Sequence, residues 1–389
     1  MRDPVIVSYA RTPIGKAYRG AFNDTPVPLL GASALHAATA RAGLDGAEIE
    51  DLTMGCALTQ GTGGINAARH VVMAAGLPDQ VAAATVDRQC ASGLNAIAVA
   101  ASQIRDGAQI VAAGGMDSIS LVQNEHWNSH RYRLDQVRAG YYLPMLDTAE
   151  MVARECAVTR AAQDAYALES QRRTAAAQAA GLFGDEIVPV TARKQVTDRA
   201  TGETCFEEVT LSADECNRPG TTAKGLAALP PVRDGGTVTA GNASQMSDGA
   251  AAMVLMDAAE AALRGLAPLG AFRGFVAVGC APEEMGLGPL FAIPRLLERH
   301  GLRIADIHLW EINEAFAAQL LPCRDRLGID PERLNVNGGA ISIGHPYGMS
   351  GARMVGHLLM EGRRRKAKLG VVSMCVGFGQ GAAGLFEIF

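Results

Sequence analysis

Aromatic residues and long apolar runs are what this sequence has least of. Aromatic residues are 5% of its 389 residues, whereas glycine occurs 44 times. This balance predicts close packing of strands and helices, with tight turns in which the backbone meets a ligand. No apolar run approaches the ~18 residues of a membrane span, and the N-terminal M-R-D-P-V-I-V-S lacks the apolar core of a signal peptide. A soluble protein without membrane association is expected.

Two further absences concern cysteine spacing and positive charge. The eight cysteines include no C-x-x-C pair and follow no regular spacing, so neither a disulfide framework nor a zinc site is indicated. A reducing compartment follows, and we expect a cytoplasmic protein. The net charge of -5 argues against nucleic-acid binding.

The sequence does have ample apolar material, 48% hydrophobic against 19% charged residues, for more than one core. Its N-terminal part alternates predicted strands and helices. Strands are predicted at residues 5–9, 49–54, 82–86 and 110–113, and helices at 29–42, 67–75 and from Cys90 to 105. This alternation predicts an α/β protein with parallel strands joined by helices.

The same order of elements recurs towards the C-terminus at a constant offset. Gly301 in R-H-G-L lies 258 residues after Gly43 in R-A-G-L, and Ser350-Gly351 lies 258 residues after Ser92-Gly93. Two matches at one offset favour a duplicated α/β unit whose copies pack with their active ends adjacent.

A third segment must lie between the two copies. We predict a first half from residues 1–119 and 249–268, an inserted loop domain from 120–248, and a second half from 269–389. The loop domain is predicted to contain one long helix over 148–180, a Val/Thr/Glu-rich stretch at 187–211 and a turn-rich segment at 218–226. Its Arg218 and Lys224 suit a phosphate-bearing ligand, although exposed basic side chains are most often only solvated surface.

The stretch D-R-Q-C-A-S-G-L-N-A, residues 87–96, delivers Cys90 to the entrance of an alanine-rich helix. Unpaired backbone N–H groups and the helix dipole there favour a thiolate, so a lowered pKa and a nucleophilic role are predicted. The small residues Ser92 and Gly93 allow a substrate or a strand to come close to the sulfur. The alternative is that Cys90 is a small buried apolar residue.

Three more clusters lie in the second copy. W-E-I-N-E-A-F-A-A, residues 310–318, places Asn313 after a strand, where its amide can bind a ligand or a water, or simply cap a helix. N-G-G-A-I-S-I-G-H-P-Y-G-M-S-G holds His345 in a rigid loop suited to proton transfer, although interior histidines are usually structural. S-M-C-V-G-F-G-Q-G ends a strand at Cys375 before a glycine-rich turn whose N–H groups can converge on an oxyanion.

Together these motifs resemble the thiolase family. Thiolases carry a nucleophilic cysteine before S-G-L, then N-E-A-F, G-H-P-x-G-x-S-G and C-x-G-G-G-x-G segments; this chain has C-A-S-G-L, N-E-A-F, G-H-P-Y-G-M-S-G and C-V-G-F-G-Q-G. The resemblance runs nearly the whole chain. It implies a five-layered αβαβα sandwich of two duplicated halves with an inserted loop domain. It also implies an acetyl-CoA C-acyltransferase or C-acetyltransferase of fatty acid metabolism that makes or cleaves 3-ketoacyl-CoA.

The resemblance also implies a role for each motif residue. Cys90 would be acylated, and His345 would accept its proton and help to hold the thioester oxygen. Asn313 would position a water in that oxyanion site. Cys375 would move the proton of the α-carbon, and the backbone N–H groups of Cys90 and Gly377 would form a second oxyanion site.

Coenzyme A contacts are implied at Ser244 and Phe316, near its pantetheine arm, and at Met285 at the mouth of the site. Phe378 departs from the family pattern, because it stands where a glycine is usual, and it would add bulk beside Cys375 or pack behind the loop. Acyl-CoA and coenzyme A are the expected partners, with no metal or other cofactor. A homodimer or homotetramer is expected.

Three rival functions remain on sequence alone. A decarboxylating ketosynthase-like condensing enzyme would generally pair two histidines with its cysteine, whereas this chain offers His345 with Cys375. A non-catalytic acyl-CoA or lipid-binding protein on the same scaffold would not need Cys90, His345 and Cys375. A purely structural α/β protein would leave the glycine-framed motifs unexplained.

Overall fold

The computed structural model describes residues 2–130, 132–198 and 200–389. The strands are β1 Pro4–Arg11, β2 Gly15–Lys16, β3 Asp51–Gly55, β4 Ala82–Val86, β5 Ile110–Ser118, β6 Val190–Thr197, β7 Thr204–Leu211, β8 Ser247–Asp257, β9 Gly270–Gly279, β10 Leu309–Ile312, β11 Leu369–Val376 and β12 Gln380–Ile388.

The α-helices are α1 Val27–Arg41, α2 Ala67–Ala74, α3 Ser92–Asp106, α4 Ile119–Val122, α5 Met145–Glu155, α6 Arg160–Ala179, α7 Ala223–Ala227, α8 Ala258–Leu263, α9 Gly288–Arg299, α10 Ala317–Leu327, α11 Ala340–Ile343 and α12 Tyr347–Arg365. Short 3-10 helices cover Gly46–Glu48, Gly61–Gly63, Leu134–Gln136, Pro282–Leu287, Ile304–Asp306 and Pro331–Arg333. In the described part of the chain, no helix is both long and apolar enough to cross a bilayer.

The sheet order reveals the duplication. Neighbouring strands follow the order β10-β11-β12-β9-β1-β8-β5-β3-β4, and β2 pairs with β8. In the first half, β3 pairs parallel with β5, and the next two pairings, β5 with β8 and β8 with β1, are antiparallel. In the second half, β10 pairs parallel with β11, and the next two pairings, β11 with β12 and β12 with β9, are antiparallel. The halves meet where β1 pairs with β9. Each half therefore repeats one topology.

Helices complete the layers. The outer helices α1 and α2 pack on the first half of the sheet, and α9 packs on the second. Between the halves lie α3 and α12, which contact each other and strands of both halves. This arrangement confirms the predicted five-layered αβαβα architecture. The buried faces are almost entirely aliphatic, which agrees with the low aromatic content.

The two central helices approach closely because glycine stands at each contact. A Cβ at Gly93 would lie 2.5 Å from the carbonyl oxygen of Gly348, and a Cβ at Gly351 would lie 2.5 Å from the backbone nitrogen of Leu94. Neither distance is possible for a real side chain. Gly93 and Gly351 are the repeated glycines at the offset of 258 residues, so the repeat corresponds to one reciprocal helix contact.

The segment between β5 and β8 forms most of a separate layer over the ends of the central helices. It contains the hairpin β6–β7, whose strands pair with each other and not with the main sheet. The prediction of one helix over 148–180 is wrong, because the chain breaks between α5 and α6. Ala157 there adopts a left-handed φ of 53°, and the Thr159 hydroxyl accepts from the N–H of Ala162 to begin the new helix.

A buried ion cluster anchors this segment to the sheet. Arg11 of β1 donates to Glu186 at 3.1 Å and to both carboxylate oxygens of Asp214 at 2.7 and 2.9 Å, and all three side chains are buried. His357 of α12 lies 2.5 Å from Glu186. Burial opposes ionisation of Glu186, but His357 and Arg11 outweigh it and lower the pKa of Glu186 to about 2.

We predict that Arg11→Met lowers the free energy of unfolding by about 3–5 kcal/mol, because it leaves Asp214 buried without its cation and removes one of the two partners of Glu186. The measurement is chemical denaturation at pH 7. Arg193→Met is the matched control, because Arg193 pairs with Asp24 at 2.6 Å on the surface, where an ion pair contributes little. Equal effects of the two substitutions would contradict the anchoring role of Arg11.

Candidate active site

Cys90 lies in the turn between β4 and α3, two residues before the helix begins. The turn is held by Ser92, whose hydroxyl donates to the carbonyl of Gln89 at 2.6 Å and accepts from the N–H of Arg88 at 2.8 Å. Gln89 takes a left-handed φ of 47°. The half-buried sulfur of Cys90 is therefore presented by a fixed turn and not by the helix itself.

The predicted lowering of the Cys90 pKa is wrong. Burial and the nearby carboxylates of Asp117 and Asp87 raise the pKa of this thiol to about 12, although the backbone N–H groups of Cys90 and Gly377 act in the opposite direction. The resting group is a neutral thiol. The same observation places the two N–H groups predicted for an oxyanion site beside the sulfur.

Asp117 is a buried carboxylate that sequence reasoning missed. It accepts from the N–H groups of Gly348 at 2.5 Å, Leu58 at 3.0 Å and Ala57 at 3.1 Å, and thereby ties the end of β5 to the start of α12. Burial raises its pKa to about 6 despite these bonds. The sequence feature that could have identified Asp117 is that it is the one acidic residue in the apolar strand I-V-A-A-G-G-M-D-S.

His345 is buried at the entrance of α12. Its Nδ1 lies 2.6 Å from the hydroxyl of Ser350, and its Nε2 lies 3.2 Å from Nδ2 of Asn313. Because that amide nitrogen can only donate, Nε2 accepts and Nδ1 carries the proton. The Ser350 hydroxyl then donates to the carbonyl of Pro346 at 3.0 Å. His345 is thus held with its basic nitrogen turned towards Asn313.

Burial, together with Arg353, lowers the pKa of His345 to about 3. The ring is therefore neutral at physiological pH and free to accept a proton. Tyr347 packs edge-on against the ring at 5.1 Å between centroids. Burial raises the pKa of Tyr347 and Cys90 raises it further, so this tyrosine lies near both Cys90 and His345.

Asn313 follows β10 and is buried. Its Nδ2 contacts His345, whereas its Oδ1 has no hydrogen-bond partner among the described residues. Buried polar oxygens are rarely left unpaired, so this atom is suited to bind a water or a substrate donor. The structure therefore brings Asn313 and His345 together, as the sequence predicted.

The loop that carries Asn313 is fixed by Glu314. This buried carboxylate accepts from the hydroxyls of Tyr166 and Ser170, both at 2.7 Å, and from the N–H of Ile341 at 3.1 Å. The bonds join the loop domain, the Asn313 loop and the segment before His345. Sequence reasoning placed Glu314 beside Asn313 but gave it no role.

Cys375 is buried near the end of β11, where the charge of Cys90 acts on it. Burial is the largest cause that raises the pKa of this second thiol well above its usual value. Met285 and Phe316, the predicted contacts of coenzyme A, lie in the same apolar cluster as Cys375. The structure brings these three residues together.

A cavity of about 200 Å³ opens on the loop-domain side of the site. Arg218 lines it, and its guanidinium donates to Gln245 at 3.2 Å. Gln245 connects the cavity with the active site, because its carbonyl accepts from the N–H of His345 at 2.9 Å. Other lining residues include Gln171, Thr221, Leu226, Leu229 and Ile341.

The two remaining predicted contacts of coenzyme A lie outside this lining. Lys224 is exposed on α7. Ser244 donates its backbone N–H to the carbonyl of Ala315 at 2.9 Å.

These features correspond to one known family. The model of the thiolase N-terminal domain matches residues 4–259, and the model of the thiolase C-terminal domain matches residues 266–388. The chain is 47% identical to the 3-ketoacyl-CoA thiolase of Bacillus subtilis (strain 168) over 394 residues, covering 100% of both chains. It is 45% identical to peroxisomal 3-ketoacyl-CoA thiolase B of Mus musculus over 390 residues, covering 99% of this chain and 91% of the relative.

Comparison with solved structures points to the same family. The crystal structure of the Bacillus anthracis acetyl-CoA acetyltransferase superposes with a TM-score of 0.89 at 37% identity and covers 100% of this chain and 99% of that one. The human mitochondrial 3-ketoacyl-CoA thiolase superposes with a TM-score of 0.88 at 36% identity, with the same coverage. The chain belongs to the thiolase family. The predicted CoA-dependent thiolase, an acyltransferase, is thereby confirmed over the ketosynthase-like, non-catalytic and structural alternatives.

The raised pKa of Cys90 predicts how the alkylation rate of this thiol depends on pH. Alkylation of Cys90 by iodoacetamide should accelerate about tenfold per pH unit between pH 6 and 9 without levelling off, because the reactive thiolate grows with pH until the pKa is reached. Peptide mass spectrometry at this residue measures the rate, and Cys90→Ala identifies the signal. A plateau below pH 8 would contradict the neutral resting thiol.

Proposed function

We propose that the chain makes or cleaves 3-ketoacyl-CoA through an acyl-enzyme at Cys90, with no metal or further cofactor and with coenzyme A as a substrate. The observation that carries this proposal is the contact between the turns of Cys90 and Cys375: a Cβ at Gly377 would lie 3.5 Å from the side chain of Gln89, the residue before Cys90. In agreement, the N–H of Gly377 acts to lower the pKa of Cys90. The proposed nucleophile and acid/base thus lie on two adjoining turns.

In the cleaving direction, the sulfur of Cys90 attacks the 3-keto carbon. Its proton goes to Nε2 of His345, which is neutral and whose other nitrogen is fixed by Ser350. Because the resting thiol has a pKa of about 12, the proton leaves as attack proceeds and not before. The developing oxyanion is held by backbone N–H groups, which form the strongest class of stabilisation for this charge.

The bond between the α-carbon and the 3-keto carbon then breaks. The electron pair passes to the α-carbon of the departing acetyl-CoA, which takes a proton from Cys375, while the acyl group stays on Cys90. The thiol of coenzyme A next attacks the acyl carbon and gives its proton to the Cys375 thiolate. As the shorter acyl-CoA leaves, the released Cys90 thiolate takes back its proton from His345. In the condensing direction the same steps reverse, with Cys375 removing the α-proton.

The cavity beside Arg218 and Gln245 supports a position for coenzyme A on the loop-domain side. Arg218 would contact a phosphate, and Met285 and Phe316 would lie along the apolar part of the path to Cys375. Ser244 is proposed near the pantetheine arm because its N–H holds the chain next to Phe316. Lys224 is exposed and would act only through its charge on the phosphates.

The exposed edge of the sheet supports a homodimer, or a homotetramer built from it. In the described sheet order β4 has β3 as its only neighbour, and its Ala82 and Ala84 are exposed. Ile65, which is 91% exposed, lines the adjoining groove together with Ala84. An open edge of small residues beside an exposed isoleucine fits the same edge of a second copy.

A cytoplasmic location is the other part of the proposal. It is supported by the eight cysteines, all of which are free thiols. Relatives named as peroxisomal make a peroxisomal location the alternative.

We predict that incubation with acetyl-CoA transfers one acetyl group to Cys90, because the N–H groups of Cys90 and Gly377 act on this sulfur. Peptide mass mapping locates the modification. In parallel, cleavage of acetoacetyl-CoA by coenzyme A is followed for the wild type and for Cys90→Ala, which should lose measurable turnover.

Cys205→Ala is the matched control, since Cys205 is exposed on β7 and outside the site. It should leave both acetylation and turnover unchanged. Acetylation confined to another cysteine, with full activity in Cys90→Ala, would refute the proposed acyl-enzyme.

A further inference from the structure

An aromatic stack joins the catalytic turn to the loop domain. The ring of Phe378 lies parallel to that of Tyr141, with centroids 5.3 Å apart and an interplanar angle of 11°. Tyr142 meets Phe378 edge-on at 5.9 Å and Tyr141 edge-on at 5.0 Å. We call Phe378, Tyr141 and Tyr142 the aromatic wall. In a chain with only 5% aromatic residues, three rings at this one place are a marked concentration.

The backbone fixes the position of Phe378. Val376 pairs with Gln380 across the β11–β12 hairpin, so Phe378 is the middle residue of a three-residue turn. It takes a left-handed φ of 65°, which a bulky side chain rarely adopts. Its ring is only half-buried, so a gain in core packing does not account for this strained residue. Such strain is commonly found where function requires it.

The turn is part of the reaction site. Gly377, directly before Phe378, supplies the N–H that faces the sulfur of Cys90, and Cys375 lies two residues earlier. The aromatic wall therefore begins one residue from the oxyanion position. The wall is therefore positioned to limit the space available to an acyl group bonded to Cys90.

The loop-domain side of the wall is also fixed. Arg138 donates to Glu283 at 2.7 Å, close to the turn that carries Met285. Beyond Tyr142 the chain enters α5, where Met145 and Leu146 pack against the apolar cluster of Cys375. Met145 and Leu146, three and four residues after Tyr142, therefore connect the wall to the apolar cluster of Cys375.

We propose that Phe378 and Tyr141 determine acyl-chain length: their stacked rings limit the space beside the Cys375 turn, so that short 3-ketoacyl-CoA substrates are favoured over long unbranched ones. The inference rests on the proposed function, because it concerns the acyl group that Cys90 carries. The stacked pair acts as a unit: the loop-domain ring limits this space only while Phe378 supports it, and Phe378 stays in place only against Tyr141.

The test compares kcat/KM for CoA-dependent cleavage of 3-ketoacyl-CoA substrates with 4 to 16 carbons. The wild type should prefer the 4-carbon substrate to the 12-carbon one. Phe378→Gly, which suits the left-handed φ, and Tyr141→Ala should each raise the ratio of 12-carbon to 4-carbon kcat/KM by at least ~10-fold. The double variant should gain little more than either single one. Tyr141→Phe keeps the stacked ring and should retain the wild-type ratio.

Tyr132→Ala is the matched control, because it removes a tyrosine ring that is 76% exposed from the same loop. It should leave activity and chain-length profile unchanged. An unchanged ratio in Phe378→Gly and Tyr141→Ala, with a lower melting temperature, would show that the stack only packs the loop and would overturn the inference. So would a wild type that prefers the 12-carbon substrate. Failure to cleave acetoacetyl-CoA at all would instead overturn the proposed function, and the inference with it.

Discussion

The active site depends on one contact, the crossing of α3 and α12 between the two halves of the sheet. The crossing is close because Gly93 faces Gly348 and Gly351 faces Leu94. Both helices begin at this point, so the turn of Cys90 and the loop of His345 arrive there together. A side chain on either glycine would separate the helices and with them Cys90 and His345, the proposed nucleophile and base.

The two serines at equivalent positions of the duplicated halves orient the side chains of the site at this contact. Ser92 holds the turn of Cys90, whereas Ser350, its counterpart in the second half, holds Nδ1 of His345. Between them, the Asp117 carboxylate fastens α12 to β5 and opposes ionisation of Cys90, the proposed nucleophile. The site thus combines a neutral thiol with a neutral imidazole and N–H groups placed for an anion. Negative charge is stabilised where it develops in the reaction and not in the resting enzyme.

Much of this arrangement could be predicted from the sequence, and the exceptions have physical reasons. Strand β4 was predicted to the residue, and the offset of 258 residues indicated the duplicated halves, because both depend on local pattern. The break at Ala157 was missed because no glycine or proline marks it. The pKa of Cys90 was predicted in the wrong direction, because burial of the thiol and the carboxylate of distant Asp117 depend on the tertiary structure. The partners of Phe378 were likewise invisible, since Tyr141 is remote in sequence and reaches it only through the loop domain.

The division of labour between the two thiols is the central claim, and hydrogen exchange at acetyl-CoA tests it most directly. In D₂O, proton NMR should show the wild type replacing methyl protons of acetyl-CoA by deuterium, because Cys375 removes the α-proton reversibly. Cys375→Ser should slow this exchange by ~10²-fold or more while Cys90 still becomes acetylated by acetyl-CoA. Exchange at the wild-type rate in Cys375→Ser, or loss of Cys90 acetylation together with the exchange, would contradict the account.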